Sequence, residues 1–156
     1  MSRCKPVDQS LEVSVAEQQI LLIENNEVVV AYPVSTAKNG VGCEEGSNCT
    51  PTGRFEISDR IGADASFGTI FKGRLPVGQW TEEQVTEEDL VLTRILWLHG
   101  LDPKNANTKE RYIYIHGTNH EILIGQPVSH GCVRMRNDDI IALFDRVNKG
   151  TPVRIV

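Results

Sequence analysis

The chain has 156 residues, a net charge of −5 and 40% apolar residues, enough for one domain with its own core and without staples. It holds no cluster of lysine or arginine, so nucleic acid and anionic membrane find no electrostatic footprint. No apolar run approaches the ~18 residues of a membrane span, and in a reducing compartment the four cysteines (Cys4, Cys43, Cys49, Cys132) are expected as thiols.

Residues 1–10 read as an N-terminal extension: two basic residues, no apolar stretch behind them, and so no signal peptide. That favours the cytosol, with a trimmed exported protein as the alternative. Residues 11–15 alternate apolar and polar, as a strand does. Residues 19–23 and 27–34 flank Asn25-Asn26, which suits a tight hairpin. A long loop, 35–53, follows, and a loop of that length in a compact domain points to function or mobility. Cys43 and Cys49 lie in it, as loop thiols or as a disulfide if the protein is exported. Thr50-Pro51-Thr52-Gly53 leads into a strand at 54–58.

Residues 60–89 carry Gly62, Gly68, Gly73, Pro76 and Gly78, which argue against long regular elements. Thr81-Glu82-Glu83-Gln84 is a candidate capping box opening a short helix. The acidic run to Asp89 reads as a solvated face, a lid or specificity loop being the alternative. Strands are expected at 90–98 and 111–116. Beyond Cys132 the pattern turns helical, with Asn137 as N-cap, an apolar stripe of Ile140, Ile141, Phe144 and Val147, and Gly150 at the C-terminal end. Residues 152–156 close the chain as a strand. The expected fold is mainly β, a β-rich α+β chain with one helix near the C-terminus and a single domain over 11–156.

Chemistry concentrates in His116-Gly117-Thr118 and Ser129-His130-Gly131-Cys132-Val133-Arg134-Met135. A thiol is a strong nucleophile only as thiolate, so a catalytic cysteine needs an imidazole to take its proton. Gly131 lets the chain turn tightly and brings backbone N–H groups near a reacting carbonyl. His116 at a strand end and Cys132 on a turn just ahead of the helix make the nucleophile–base half of a triad. No Asp, Asn or Glu stands in an obvious third position, which leaves a backbone carbonyl to orient the imidazole. The rival reading is zinc, since His116, His120, His130 and Cys132 are all good ligands. Their spacings fit no common finger, and His116 and His120 stand ~13 Å apart on a straight strand. His99-Gly100 repeats the His-Gly pair with no cysteine after it and reads as a surface histidine, with substrate contact as the alternative.

These motifs, with Gly125, Tyr32-Pro33-Val34-Ser35 and Thr50-Pro51-Thr52-Gly53-Arg54-Phe55, resemble the L,D-transpeptidase catalytic (YkuD-type) family over about residues 11–156. The resemblance implies a sandwich of mixed β-sheets with few helices, and no metal or other cofactor. It implies Cys132 as nucleophile, His116 as base and the Gly117 carbonyl as the group orienting the imidazole. Ser129, His130 and Arg134 would line the donor side, and the N–H groups of Gly131 and Cys132 would form the oxyanion hole. Arg134 is the expected clamp for the donor carboxylate.

The implied chemistry is acyl transfer on peptidoglycan stem tetrapeptides. Cys132 would attack the carbonyl of the third residue, release the terminal D-alanine and hold a thioester. Water then yields a tripeptide, as in an L,D-carboxypeptidase; an amine from another stem yields a 3→3 cross-link, as in an L,D-transpeptidase. The family's cross-linkers carry export signals or anchors, so the expectation is a cytosolic carboxypeptidase acting on recycled muropeptides, with the transpeptidase as alternative. Acylation by carbapenems is implied as well. A non-catalytic wall-binding module would need an aromatic platform, and two tryptophans, three tyrosines and four phenylalanines show none in the sequence. Neither resemblance nor composition bears on oligomeric state.

Overall fold

The computed structural model describes residues 8–156. Cys4 and all but the last three residues of the expected N-terminal extension lie outside the described residues. The described chain forms ten strands, two 3₁₀ turns and one α-helix: β1 (Gln9–Ser14), β2 (Gln19–Glu24), β3 (Glu27–Pro33), β4 (Gly53–Ile61), β5 (Thr69–Lys72), β6 (Leu75–Gln79), β7 (Val91–Gly100), β8 (Tyr114–Gly117), β9 (Val133–Met135), α1 (Asn137–Phe144) and β10 (Pro152–Ile155). β1 thus starts two residues inside the expected extension.

The sheet runs β3-β2-β1-β10-β4-β7-β5-β6, with β8 on β7 and β9 on β8. It is mixed, because β1 pairs β10 and β8 pairs β9 in parallel while the other ladders are antiparallel. Just beyond β3, Ser35 and Arg134 exchange backbone hydrogen bonds of 2.9 Å. That joins the β3 end to the β8–β9 branch, so this part of the sheet curls over the larger of two hydrophobic clusters. Period-two alternation fills it with Leu11 and Val13, Ile20 and Leu22, Phe55 and Ile57, Leu96 and Leu98, Ile115, Val133 and Met135, and Val153 and Ile155. α1 adds Ile140, Leu143 and Phe144; each such side chain contributes roughly 1.5–3 kcal/mol by leaving water. Asn25 and Asn26 both take positive φ (54° and 67°), as the β2–β3 hairpin requires.

Several expectations need correction. Residues 81–84 form a turn and no helix: the Gln84 side chain does accept from the Thr81 N–H at 3.3 Å, but the Gln84 N–H returns to the Thr81 carbonyl. The glycine-rich stretch before it holds the β5–β6 hairpin. Tyr112 takes φ +57° in a turn, so the expected 111–116 strand begins only at Tyr114. Between Cys132 and α1 lies β9, unseen in the sequence because it is three residues long. Asn137 is the first helical residue rather than the cap, and α1 ends at Phe144, before Val147 and Gly150. Among the described residues no helix is long and apolar enough to cross a membrane.

Candidate active site

The site lies where β8 and β9 run side by side. Their register sets Ile115 against Val133 and His116 against Arg134. Ile115, Val133 and Met135 point into the core, so strand alternation sends His116, Cys132 and Arg134 to the opposite face together. His116 is a diagonal neighbour of Cys132 on this face, about 8 Å away between Cα atoms by ordinary strand spacing and rise.

His116 is buried, 1% exposed, and its Nδ1 donates to the carbonyl of Gly117. A carbonyl only accepts, so the neutral ring carries its proton on Nδ1 and keeps the Nε2 lone pair free as a base. The carbonyl is itself held in place. A Cβ on Gly117 would collide with Asn137 Oδ1 and lie 2.7 Å from the Leu92 carbonyl, so no larger residue fits. Asn137 is fixed by its Nδ2 donating to the Thr118 carbonyl (2.8 Å) and by the Thr93 hydroxyl donating to its Oδ1 (2.6 Å). Thr93 holds φ +76° at the irregularity where β7 shifts register against β8. Glu121 takes the cap's part by accepting the Asn137 N–H at 2.7 Å, a carboxylate at the positive end of the helix.

Cys132 is half-buried. Its Sγ accepts the Tyr114 N–H at 3.3 Å and donates to the Tyr112 carbonyl at 3.4 Å. Burial pushes the thiol up to about 11; the Tyr114 N–H and the charges of Arg134 and Arg111 oppose that, and Asp89 adds to it. Burial also holds the His116 imidazole below its usual range, with Asp89 pulling the other way. The resting pair is therefore neutral thiol and neutral imidazole.

The turn before Cys132 is built by side chains on the backbone. The Ser129 hydroxyl donates to the Cys132 carbonyl (2.6 Å) and accepts the Gly131 N–H (3.3 Å). The Thr50 hydroxyl donates to the Gly131 carbonyl at 2.9 Å. Gly131 takes φ +128°, and a Cβ there would meet the Cys49 carbonyl at 3.3 Å. The loop that supplies Thr50 and Cys49 is anchored by bridges Ala37–Ser129 and Val41–Thr50, and by Arg111 donating to the Cys49 carbonyl at 2.8 Å. Gly131 N–H is thus partly engaged, while the Cys132 N–H has no protein acceptor among the described residues.

Arg134, 3% exposed, is paired through Nη2 with Asp89 at 2.9 Å, and its Nε has no partner. Asp89 also faces His130 Nδ1 at 3.3 Å. The acidic run is solvated as expected at Glu82, Glu83, Glu87 and Glu88, but Asp89 at its end is partly buried, where residues 86–90 are strapped down by Asn119 to Glu88 and Leu90 and by His120 to the Thr86 carbonyl. Sequence reasoning missed Asp89, Asn137 as a support and the tyrosine pair at the thiol. Only Asn137 carried a signal, read as capping. His130 is exposed and stands between two clefts, one past Lys38, His120 and Val128, the other past Asn48, Arg111 and Tyr112. The four zinc candidates are not gathered: His116 is turned to Gly117, His120 to Thr86 and His130 to Asp89, and among the described residues no three such ligands surround one point. His99 lies on β7 opposite Glu56 of β4, at the far end of the strand from the β7–β8 pairing of His116.

A family model of the L,D-transpeptidase catalytic domain matches residues 8–155. Two relatives from Bacillus subtilis (strain 168) match nearly all of the chain. Putative L,D-transpeptidase YqjB is 30% identical over 150 residues, 96% of this chain and 72% of its own length. Putative L,D-transpeptidase YkuD is 31% identical over 145 residues, 93% of this chain and 64% of its own. The crystal structure of an L,D-transpeptidase from Xylanimonas cellulosilytica shares the fold, with a TM-score of 0.63 at 20% identity over 95% of this chain and 60% of that one. The chain therefore spans only part of the proteins it matches.

Proposed function

Because the chain belongs to the L,D-transpeptidase catalytic domain family, we propose that it cleaves the L,D bond before the terminal D-alanine of peptidoglycan stem tetrapeptides, with Cys132 as nucleophile and water as final acceptor. The observation that carries this reading is the diagonal pairing of His116 and Cys132 on one face, with the His116 Nδ1 proton committed to Gly117. His116 Nε2 takes the thiol proton as substrate arrives. The thiolate attacks the carbonyl of the third stem residue, and the oxyanion meets the free N–H of Cys132 and that of Gly131. Collapse breaks the C–N bond, His116 returns its proton to the leaving amine of D-alanine, and a Cys132 thioester remains. Water then attacks the thioester, giving up a proton to His116; the C–S bond breaks and the thiol is restored.

Desolvation keeps both partners neutral at rest, so proton transfer waits for a substrate that supplies the driving force. The donor carboxylate is taken by Arg134, whose Nε–H is still unpartnered beside Asp89. Ser129 and His130 frame its path, Ser129 through the turn and His130 between the clefts. The same reading takes soluble muropeptides of the cytosol as substrates. The alternative is amine attack to give 3→3 cross-links, favoured by the names of both Bacillus relatives. Incubation with a disaccharide tetrapeptide, read by mass spectrometry, tests the choice: D-alanine and tripeptide support hydrolysis, and dominant 3→3 dimers support the alternative.

A further inference from the structure

The tip of the β5–β6 hairpin is Gly73-Arg74, both at positive φ (55° and 66°), a two-residue turn of the kind that favours glycine or asparagine at each place. An arginine there spends about 1–2 kcal/mol on a left-handed backbone, and its side chain shows a reason for being kept. The guanidinium lies 4.6 Å from the centroid of the Trp97 ring and 5.2 Å from that of Tyr112. Its Nη1 donates to the Tyr114 hydroxyl at 3.0 Å. Trp97 in turn stacks on Tyr112 at 6.0 Å and meets Tyr114 edge-on at 5.8 Å. Three aromatic rings thus cradle one cation.

This cradle adjoins the nucleophile. Tyr112 and Tyr114 are the two residues whose backbone groups hold the Cys132 Sγ, and Cys132 and Trp97 both pack against the buried cluster of Phe71, Ile95 and Tyr114. The other cation near Trp97, Lys109, is neutralised by Asp59 at 3.4 Å. Arg74 has no carboxylate partner among the described residues. A positive charge without a carboxylate partner among the described residues therefore sits on the side chains of Tyr112 and Tyr114, the two residues whose backbone groups hold the Cys132 Sγ.

We propose that Arg74 is a specificity-determining residue that selects water over ammonium-bearing acceptors. An amine acceptor reaches the site carrying a positive charge and must lose a proton before it attacks. Arg74 repels that charge and already covers the ring faces on which a cation would settle. Water is indifferent to both effects. The inference rests on the acyl-transfer reading and adds to it the residue that directs the second half-reaction: with Arg74 in place, the thioester carbon is taken by water oxygen and the C–S bond breaks to give the tripeptide acid. With the cradle open, a neutral amine takes the same carbon and gives a proton to His116, the C–S bond breaks, His116 returns that proton to the sulfur, and the amide forms.

The test uses the full chain, a disaccharide tetrapeptide as donor and a disaccharide tripeptide with a free side-chain amine as acceptor. Dimer and tripeptide are quantified by mass spectrometry for the wild type, Arg74→Gln and Arg74→Lys. The dimer-to-tripeptide ratio is expected to rise about tenfold or more in Arg74→Gln, the size of one charge contact in a half-exposed site, and to stay within about twofold in Arg74→Lys, which keeps the charge on the rings. Total donor consumption should change little. In the wild type, raising salt from about 20 mM to about 500 mM should raise the ratio by screening, which keeps the proposal testable if a variant fails to fold. An unmoved ratio in Arg74→Gln with donor still consumed, an equal rise in Arg74→Lys, or a wild-type ratio indifferent to salt would overturn the role of Arg74 alone. A wild type that consumes no donor would contradict the acyl-transfer reading, and one that makes mainly dimer would overturn both the water assignment and Arg74.

Discussion

The guanidinium of Arg134 lies 2.9 Å from the carboxylate of Asp89, with the arginine 3% exposed and the aspartate 21%. A buried cation is held by a residue from a strap remote in sequence, and the same carboxylate acts electrostatically on both His116 and Cys132. Asp89→Ala leaves Arg134 unpaired. The expected loss is about 2 kcal/mol in denaturant unfolding, below the ~3–5 of a fully buried pair because Asp89 keeps some contact with water. Asp89→Asn removes a charge that disfavours the thiolate, so the pH midpoint for alkylation of Cys132 should move down. A midpoint that stays or moves up would show that Asp89 is not coupled to the thiol.

The pH dependence follows from the two shifts. His116 is held below its ordinary range, so activity should persist below pH 6.5 and fall only as the folded-state imidazole takes a proton; the stability tied to neutral His116 is present above that range and lost as pH falls through the lowered value. Burial pushes the folded Cys132 thiol up to about 11, so its contribution is complete below the ordinary thiol range and lost as pH rises toward that value. Cys132→Ser should flatten that alkaline loss. Unfolding curves from pH 5 to 11 check both signs.

The two histidines should separate cleanly. His116→Ala removes the base and should lower kcat/KM by a factor on the order of 10²–10⁴. His130 is exposed, and among the described residues its ring is paired with Asp89, so His130→Ala should alter KM more than kcat. A larger loss of Cys132 alkylation rate in His130→Ala than in His116→Ala would exchange their roles.

Gly117→Ala tests the support of the base. The added methyl meets Asn137 Oδ1 and the Leu92 carbonyl, so overpacking should cost about 1–3 kcal/mol and displace the carbonyl that holds Nδ1. The accompanying readout is the His116 Nδ1 proton by NMR: loss or shift of that resonance with kcat falling more than KM rises is expected, and an unchanged resonance with full activity would contradict the arrangement.

Much of the fold was legible because strand alternation is a local signal. Leu11/Val13, Ile20/Leu22 and Phe55/Ile57 announce their buried faces directly, and the stripe of Ile140, Ile141, Phe144 and Val147 announces α1, although it misses the buried Leu143 and runs past the helix end to Val147. The same signal misled at residues 111–113, where an alternating pattern sits in a turn that Tyr112 completes with positive φ. β9 and the β5–β6 hairpin are too short, or too rich in glycine, for periodicity to register. At the site, the motif residues His116, Gly131 and Cys132 stood out by type and spacing. Asp89, Arg74 and Thr93 did not, because what they do depends on partners distant in the chain: Arg134, the Trp97–Tyr112–Tyr114 rings, and Asn137.

The thiols outside the site give a control. Cys43 and Cys49 are free and lie in the loop beneath the turn, so Cys43→Ser and Cys49→Ser should keep most activity. A carbapenem should acylate the wild type by thiol attack on the lactam carbonyl, with no adduct on Cys132→Ala; an adduct that survives Cys132→Ala would place the reactive thiol elsewhere.

The most direct measurement is the intact mass of the protein trapped during turnover of a disaccharide tetrapeptide, followed by peptide mapping. The account predicts a donor adduct lacking D-alanine, attached to Cys132, absent from Cys132→Ala and slow to form in His116→Ala. Undiminished turnover by Cys132→Ala, or an adduct mapped to any other residue, would contradict it.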